Sequence, residues 1–322
     1  MISGVRTAVI LGAGGSLGQA FHLGVLRALV EDGGFDARSA GVLVGTSAGS
    51  LVAAGLAGGL STSDLIADLL GEPLSAAGAV LRDGGRRTFA APAAEALPAA
   101  RRGPLAPGVL LAAARRPWAV RPGPLVSGLL PAGRTSPDKI ARDVRRVHGD
   151  SWPDRDLRIC AVRVRDGRRV VFGTPAAPTV DVGAAVAASC AIPAYFAPVR
   201  VAEELYVDGG VHSPTNADVV VPDRVDVAVV LSPMSYGAGV RRSAIDLAVR
   251  YAIRRYLAAE VRRLRAGGAC VVVVEPTPAD LQVMRVEPMG GRRLEDVVDT
   301  AAGSARALLR KRPDVMEALA AT

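Results

Sequence analysis

Apolar and polar positions fall into blocks of recognisable period. Residues 7–11, Thr-Ala-Val-Ile-Leu, are an uncharged β-branched run of the kind found in strands buried on both faces. A glycine-rich stretch follows at 12–18. Ala20, Leu23, Gly24, Leu26 and Val30 then recur at helical spacing until Gly33-Gly34 ends the run. A second apolar run at 41–44 closes on Gly45-Thr46-Ser47 and passes into an Ala/Leu/Val-rich helical stretch from Ala48. Strand, loop, helix, strand, turn, helix is the alternation of a parallel sheet covered by helices, so the expected class is α/β.

Further along, the pattern predicts a helix with an arginine face over 138–148 and a hairpin of 157–164 with 168–172, turning at Asp166-Gly167. It continues with a small-residue helix over 182–189 and a strand at 205–207 that runs into Asp208-Gly209-Gly210. Two near-continuous apolar strands follow at 225–231 and 269–274. A long arginine-rich helix is expected over 242–266 and a last helix over 293–309. Residues 71–137 break this texture. Ten prolines and the pairs Arg86-Arg87, Arg101-Arg102 and Arg115-Arg116 fall there, which reads as a cap-like insertion into one domain spanning 1–322.

The composition changes this picture little. Half of the 322 residues are hydrophobic, enough for a sizeable core. The net charge of +8 invites nucleic acid as a partner. However, Lys139 and Lys311 are the only lysines among 39 basic residues, and aromatics make up 4%. That is compositional bias rather than a basic, stacking surface, and nucleic-acid binding is not expected. The arginine-rich surface is compatible with peripheral contact to anionic membranes, although the same bias accounts for it. Cys160, Cys190 and Cys270 are far apart and show neither metal spacing nor a disulfide framework, so no metal is expected and the compartment reads as reducing and cytoplasmic. The uncharged stretches 7–26 and 39–63 are long enough to span a bilayer, but their glycines divide each into strand, turn and helix.

Candidate chemistry centres on Gly45-Thr46-Ser47-Ala48-Gly49. G-x-S-x-G between a strand and a helix is the nucleophile-elbow pattern, which holds a serine exposed on a tight, strained turn. The same pattern fits an ordinary turn in which Ser47 caps the helix. Ala13-Gly14-Gly15, at a strand end and a helix start, can aim backbone N–H groups at a developing oxyanion. The histidines are His22, His148 and His212. None falls where a serine–acid–histidine order would require it, and His22 on the first helix reads as structural. Asp208, delivered by a strand and followed by two glycines, could take the serine proton directly if burial raised its pKa. Alone, it fits a turn aspartate equally well.

Four separated segments together resemble the patatin-like phospholipases, over roughly residues 5–235. The glycine loop resembles that family's G-G-G-x-R-G segment, and Gly45–Gly49 its G-x-S-x-G. Ala188-Ser189-Cys190-Ala191-Ile192-Pro193 resembles A-S-x-A-I-P, and Asp208-Gly209-Gly210 resembles D-G-[AG]. The resemblance implies a three-layer α/β fold with a mostly parallel sheet. It also implies a lipid acyl-ester hydrolase of phospholipase A or lysophospholipase type, using Ser47 and Asp208 as a dyad without histidine. Gly14 and Gly15 would be the oxyanion donors, Gly18, Gly45, Gly49 and Gly209 the supporting glycines, and no cofactor would be needed. Ala13 replaces the family's first loop glycine and Leu17 its arginine, which keeps open a catalytically weak lipid-binding or regulatory protein on the same fold. A dinucleotide-binding oxidoreductase is the other alternative, but Gly12, Gly14 and Gly18 are spaced G-x-G-x-x-x-G and no acid closes the second strand.

Overall fold

The computed structural model describes residues 5–83, 86–87, 133–235, 244–284 and 292–322. The insertion expected at 71–137 falls for the most part outside these. Strand β1 (Thr7–Leu11) enters helix α1 (Gly15–Glu31), and β2 (Val42–Thr46) enters α2 (Ala48–Ala57), followed by α3 (Thr62–Leu70). Helix α4 (Asp138–His148) leads to the hairpin of β3 (Leu157–Arg163) and β4 (Arg169–Phe172). Helix α5 (Val182–Ser189) precedes a second hairpin, β5 (Val199–Val201) and β6 (Glu204–Asp208). Then come β7 (Val227–Leu231), α6 (Ala244–Ala266), β8 (Cys270–Val274), α7 (Pro278–Val283), α8 (Arg292–Leu309) and α9 (Pro313–Ala320).

These eight strands form one sheet, and the two-residue strands Arg82–Asp83 and Arg86–Arg87 pair antiparallel apart from it. β8, β7, β1, β2 and β3 lie side by side in that order and run parallel, while β4, β6 and β5 add an antiparallel flank. Side chains alternate between two covered faces. Val9, Leu11, Leu43 and Val229 pack under α1, α2 and α8. Ala8, Ile10, Val44 and Val230 pack on the other side against Ala217, Val220 and, from α6, Leu257, Val261 and Leu264. Both faces being buried explains why these strands read as unbroken apolar runs. The three layers and the mostly parallel sheet match the expected fold. The short β5, with Arg200 exposed at its middle, and helices α3, α7 and α9 were not anticipated. Among the described residues, no helix is long and apolar enough to cross a membrane.

One detail of register positions the site. β4 occupies one edge of β3 over residues 159–162. β2 runs along the opposite edge as far as Thr46, which faces Cys160. β6 takes up that same edge at the next residue, with Asp208 facing Ala161. The ends of β2 and β6 therefore abut.

Candidate active site

Ser47 stands where β2 turns into α2, at φ 53° and ψ −125°. A side chain in this region is strained by about 1–3 kcal/mol and persists only where the surroundings over-determine it. They do so here from both sides. The Ser47 N–H donates to Ser189 Oγ at 2.9 Å, and the Ser189 hydroxyl donates onward to the Cys160 carbonyl at 2.7 Å. The Ser47 carbonyl accepts from the Ser50 hydroxyl at 2.6 Å and from the Ser50 N–H at 2.8 Å. The turn can be this tight because Gly49 lies against the end of β1, where a Cβ would sit 2.1 Å from the Leu11 carbonyl oxygen. Gly45 is equally crowded, by Ser50. The strain is measurable. Ser47→Gly should unfold about 1 kcal/mol later than Ser47→Ala in urea titrations, because both lack the hydroxyl and only alanine keeps the positive-φ penalty.

Asp208 ends β6, and its backbone N–H is held by the Ala191 carbonyl at 3.0 Å. The chain then turns at Gly209, which presses against β3 so closely that a Cβ would lie 2.2 Å from the Cys160 carbonyl oxygen. Asp208 is 5% exposed, and its Oδ1 accepts from the Gly210 N–H at 2.7 Å. Burial pushes its carboxyl up to about 6. Hydrogen bonds from the Ser47 hydroxyl and the Gly210 amide pull in the opposite direction without cancelling that effect. The structure thus brings together the two residues singled out from sequence, 161 positions apart in the chain.

The glycine loop is fixed before it reaches the site. Gly12 N–H donates to the Leu231 carbonyl at 3.0 Å and Ala13 N–H to the Pro214 carbonyl at 2.7 Å. His22 Nε2 meets the Gly12 carbonyl at 2.7 Å. Burial lowers the His22 pKa to about 4, partly offset by that bond, so the imidazole is neutral at physiological pH and donates. Gly14 then caps α1, with Gly15 at φ 61°. Among the described residues neither the Gly14 nor the Gly15 N–H has a partner. Pro233 packs over Gly14 and Gly18, leaving no room for a side chain on Gly14. The methyl of Ala13 brings no backbone strain, because Ala13 is not among the residues at positive φ.

Of the histidines, His22 serves the loop backbone as expected of a structural residue. His148 bonds the Ala54 carbonyl at 2.8 Å. Sequence reasoning did not assign the roles of Ser189, Ala191 and Asn216. Asn216 holds the left-handed conformation, φ 50° and ψ 31°, and its Nδ2 reaches Thr46 Oγ1 at 3.2 Å and the Gly209 carbonyl at 3.3 Å. Ser189 and Ala191 lie in the A-S-x-A-I-P-like segment, which was the available signal. Asn216 carried none. Among the described residues, no group of three or more His, Cys, Asp or Glu could hold a metal ion.

No curated protein matches the chain in sequence. Among solved structures, VipD from Legionella pneumophila is similar at 14% identity and TM-score 0.41, covering 96% of this chain and 67% of that one. The type III effector protein ExoU is similar at 18% identity and TM-score 0.39, covering 95% of this chain and 53% of that one. The chain thus spans about two thirds of the first and about half of the second. The model of the patatin-like phospholipases matches residues 9–221, which takes in the glycine loop, the Ser47 turn and the Asp208 turn. On that match over most of its length, the chain belongs to the patatin-like phospholipase family.

Proposed function

We propose that the chain cleaves lipid acyl esters, as a phospholipase A or lysophospholipase, through a Ser47–Asp208 dyad and an acyl-enzyme. Ser47 Oγ attacks the acyl carbonyl carbon while its proton passes to the Asp208 carboxylate. The Gly14 and Gly15 amides hold the oxyanion. As the tetrahedral intermediate collapses, Asp208 returns the proton to the departing alcohol. Water then attacks the acyl-enzyme, giving its proton to Asp208, which passes it to Ser47 Oγ as the bond to the acyl carbon breaks and the fatty acid leaves. The observation that carries this reading is a single buried carboxyl, raised towards neutrality and hydrogen-bonded to a serine in a strained turn. An apolar substrate agrees with Ile192 and Met234, which are 42% and 37% exposed and follow in sequence the residues packed against Asp208 and the glycine loop. The alanine that replaces the first loop glycine does not weigh towards the weak or silent alternative, because Ala13 is not among the residues at positive φ and its methyl brings no backbone strain. No cofactor is required by this route.

The test is covalent. A fluorophosphonate probe should label the wild type and not Ser47→Ala, and fatty acid should be released from one or more members of a phospholipid and lysolipid panel. Failure of the wild type to label would end the proposal. The pH dependence carries a sign. Only ionised Asp208 can accept a proton, so kcat/KM should fall about tenfold per pH unit below about 6 and level off above it. A carboxylate at its ordinary value of 3.8 would hold the rate flat down to about pH 4.

A further inference from the structure

We infer that Glu260 is a positioning residue for this site, holding the nucleophile turn, the acid turn and the glycine loop in mutual register through residues 213–217. The inference rests on the proposed function only for its kinetic readout. Glu260 lies on α6, beyond residues 9–221 and far along the chain from every motif. On that helix Ile253, Leu257, Val261 and Leu264 form the buried stripe, and Glu260, 2% exposed, sits within it. A carboxyl there is costly unless it meets buried donors. It meets them on the 213–217 segment: Glu260 Oε2 accepts from the Thr215 hydroxyl at 2.6 Å and from the Ala217 N–H at 2.9 Å, and the Ser213 hydroxyl also stabilises the carboxylate, while Oε1 is buried without a hydrogen bond among the described residues.

At and beside those two contacts the segment reaches all three parts of the site. The Pro214 carbonyl takes the Ala13 N–H at 2.7 Å, one residue before the Gly14 amide. Asn216 Nδ2 points to Thr46 Oγ1, one residue before Ser47, and to the Gly209 carbonyl, one residue after Asp208. The amide is oriented by Arg169, whose Nη1 donates to Asn216 Oδ1 at 3.2 Å, and by the Ser213 carbonyl, which accepts from Nδ2 at 2.6 Å. Thr46, Thr215 and Asn216 are all at most 1% exposed. Five residues therefore form a common abutment for three chain segments, beyond the ties that the sheet gives them through the β1–β2 pairing and the shared edge of β3, and Glu260 fixes it from the opposite layer. Catalysis of this type is sensitive to misplacements of about 1 Å, which cost up to about a hundredfold.

The experiment compares wild type, Glu260→Leu, Glu260→Gln and Thr215→Val by steady-state kinetics and by hydrogen–deuterium exchange of peptides. Glu260→Leu should lower kcat about tenfold to a hundredfold with KM within about twofold. Exchange should quicken together in peptides covering 12–18, 44–50 and 207–213. Glu260→Gln keeps an acceptor and should restore most of both. Thr215→Val, which loses one bond, should fall between. Exchange that quickens only within 213–217 and α6, or a wild-type kcat in Glu260→Leu, would overturn the inference. If Glu260→Leu does not fold, Thr215→Val decides, and wild-type exchange in all three peptides would count against it. A wild type without esterase activity would remove the hydrolase proposal, while the exchange pattern would still decide the coupling.

Discussion

Asp208→Asn is expected to keep the fold and to lose at least about a thousandfold in turnover, the scale on which removal of a triad member acts. The amide has the same outline, and its oxygen can still accept from the Gly210 N–H. It cannot take a proton from Ser47. Stability should move the other way. The carboxyl titrates at about 6 in the fold against 3.8 ordinarily. A group raised in this way contributes stability that is full below about pH 4 and lost as pH rises through about 6. At pH 7 the buried charge is therefore a cost, and the neutral amide escapes it. The melting temperature of Asp208→Asn at pH 7 should equal or exceed that of the wild type, with the two converging near pH 4. A variant that is both inactive and less stable at pH 7 would point to a structural aspartate instead. A variant with near-normal turnover would remove Asp208 from the chemistry.

Gly49→Ala should be the most damaging small substitution near the site. Its Cβ would stand 2.1 Å from the Leu11 carbonyl oxygen and 2.7 Å from that of Gly12, both backbone atoms in the sheet and loop. Neither can swing away, so α2 must back off from β1. Overpacking of this kind costs about 3 kcal/mol. Moving α2 carries Ser47 with it and pushes the glycine loop, so kcat should also fall by about a hundredfold or more. Urea unfolding and steady-state kinetics on the same preparation check both. Gly303→Ala is the matched control. Gly303 lies inside α8 with nothing within 4 Å of where its Cβ would stand, and the change should be neutral or stabilising by up to about 1 kcal/mol.

Most of the framework was legible because burial on two faces writes itself as uninterrupted apolar runs. β1, β2, β7 and β8 were found in this way, and α4 was bounded to the residue at Asp138–His148. β5 was not, since three residues with an exposed arginine at the centre show neither period nor run. Ser47 and Asp208 were legible as motifs, but their meeting was not. It depends on two strand ends sharing one edge of β3, a fact of register that no local pattern encodes. Ser189 and Asn216 were unread for a related reason. Each acts through one hydrogen bond or a few to distant parts of the chain; the A-S-x-A-I-P-like segment marked Ser189 without saying what it bonds, and an asparagine in a turn is locally unremarked. Glu260 was hidden most fully, inside a charged helix where an acid is ordinary until its burial is known.

The abutting strand ends have a consequence for how this architecture tolerates change. The distance between hydroxyl and carboxylate is gauged by a single peptide unit of β3, from Cys160 to Ala161, a strand that carries neither group. Chain added to or removed from the connections 149–155 or 174–180, which lie outside the helices and carry none of the contacts to Ser47 or Asp208, leaves that ruler unmarked. One extra residue bulged into β3 at the gauge point would separate the two groups by about 3.3 Å and end their contact. The tolerance for variation and the intolerance of it lie within the same fold, divided by whether a change touches one interstrand step.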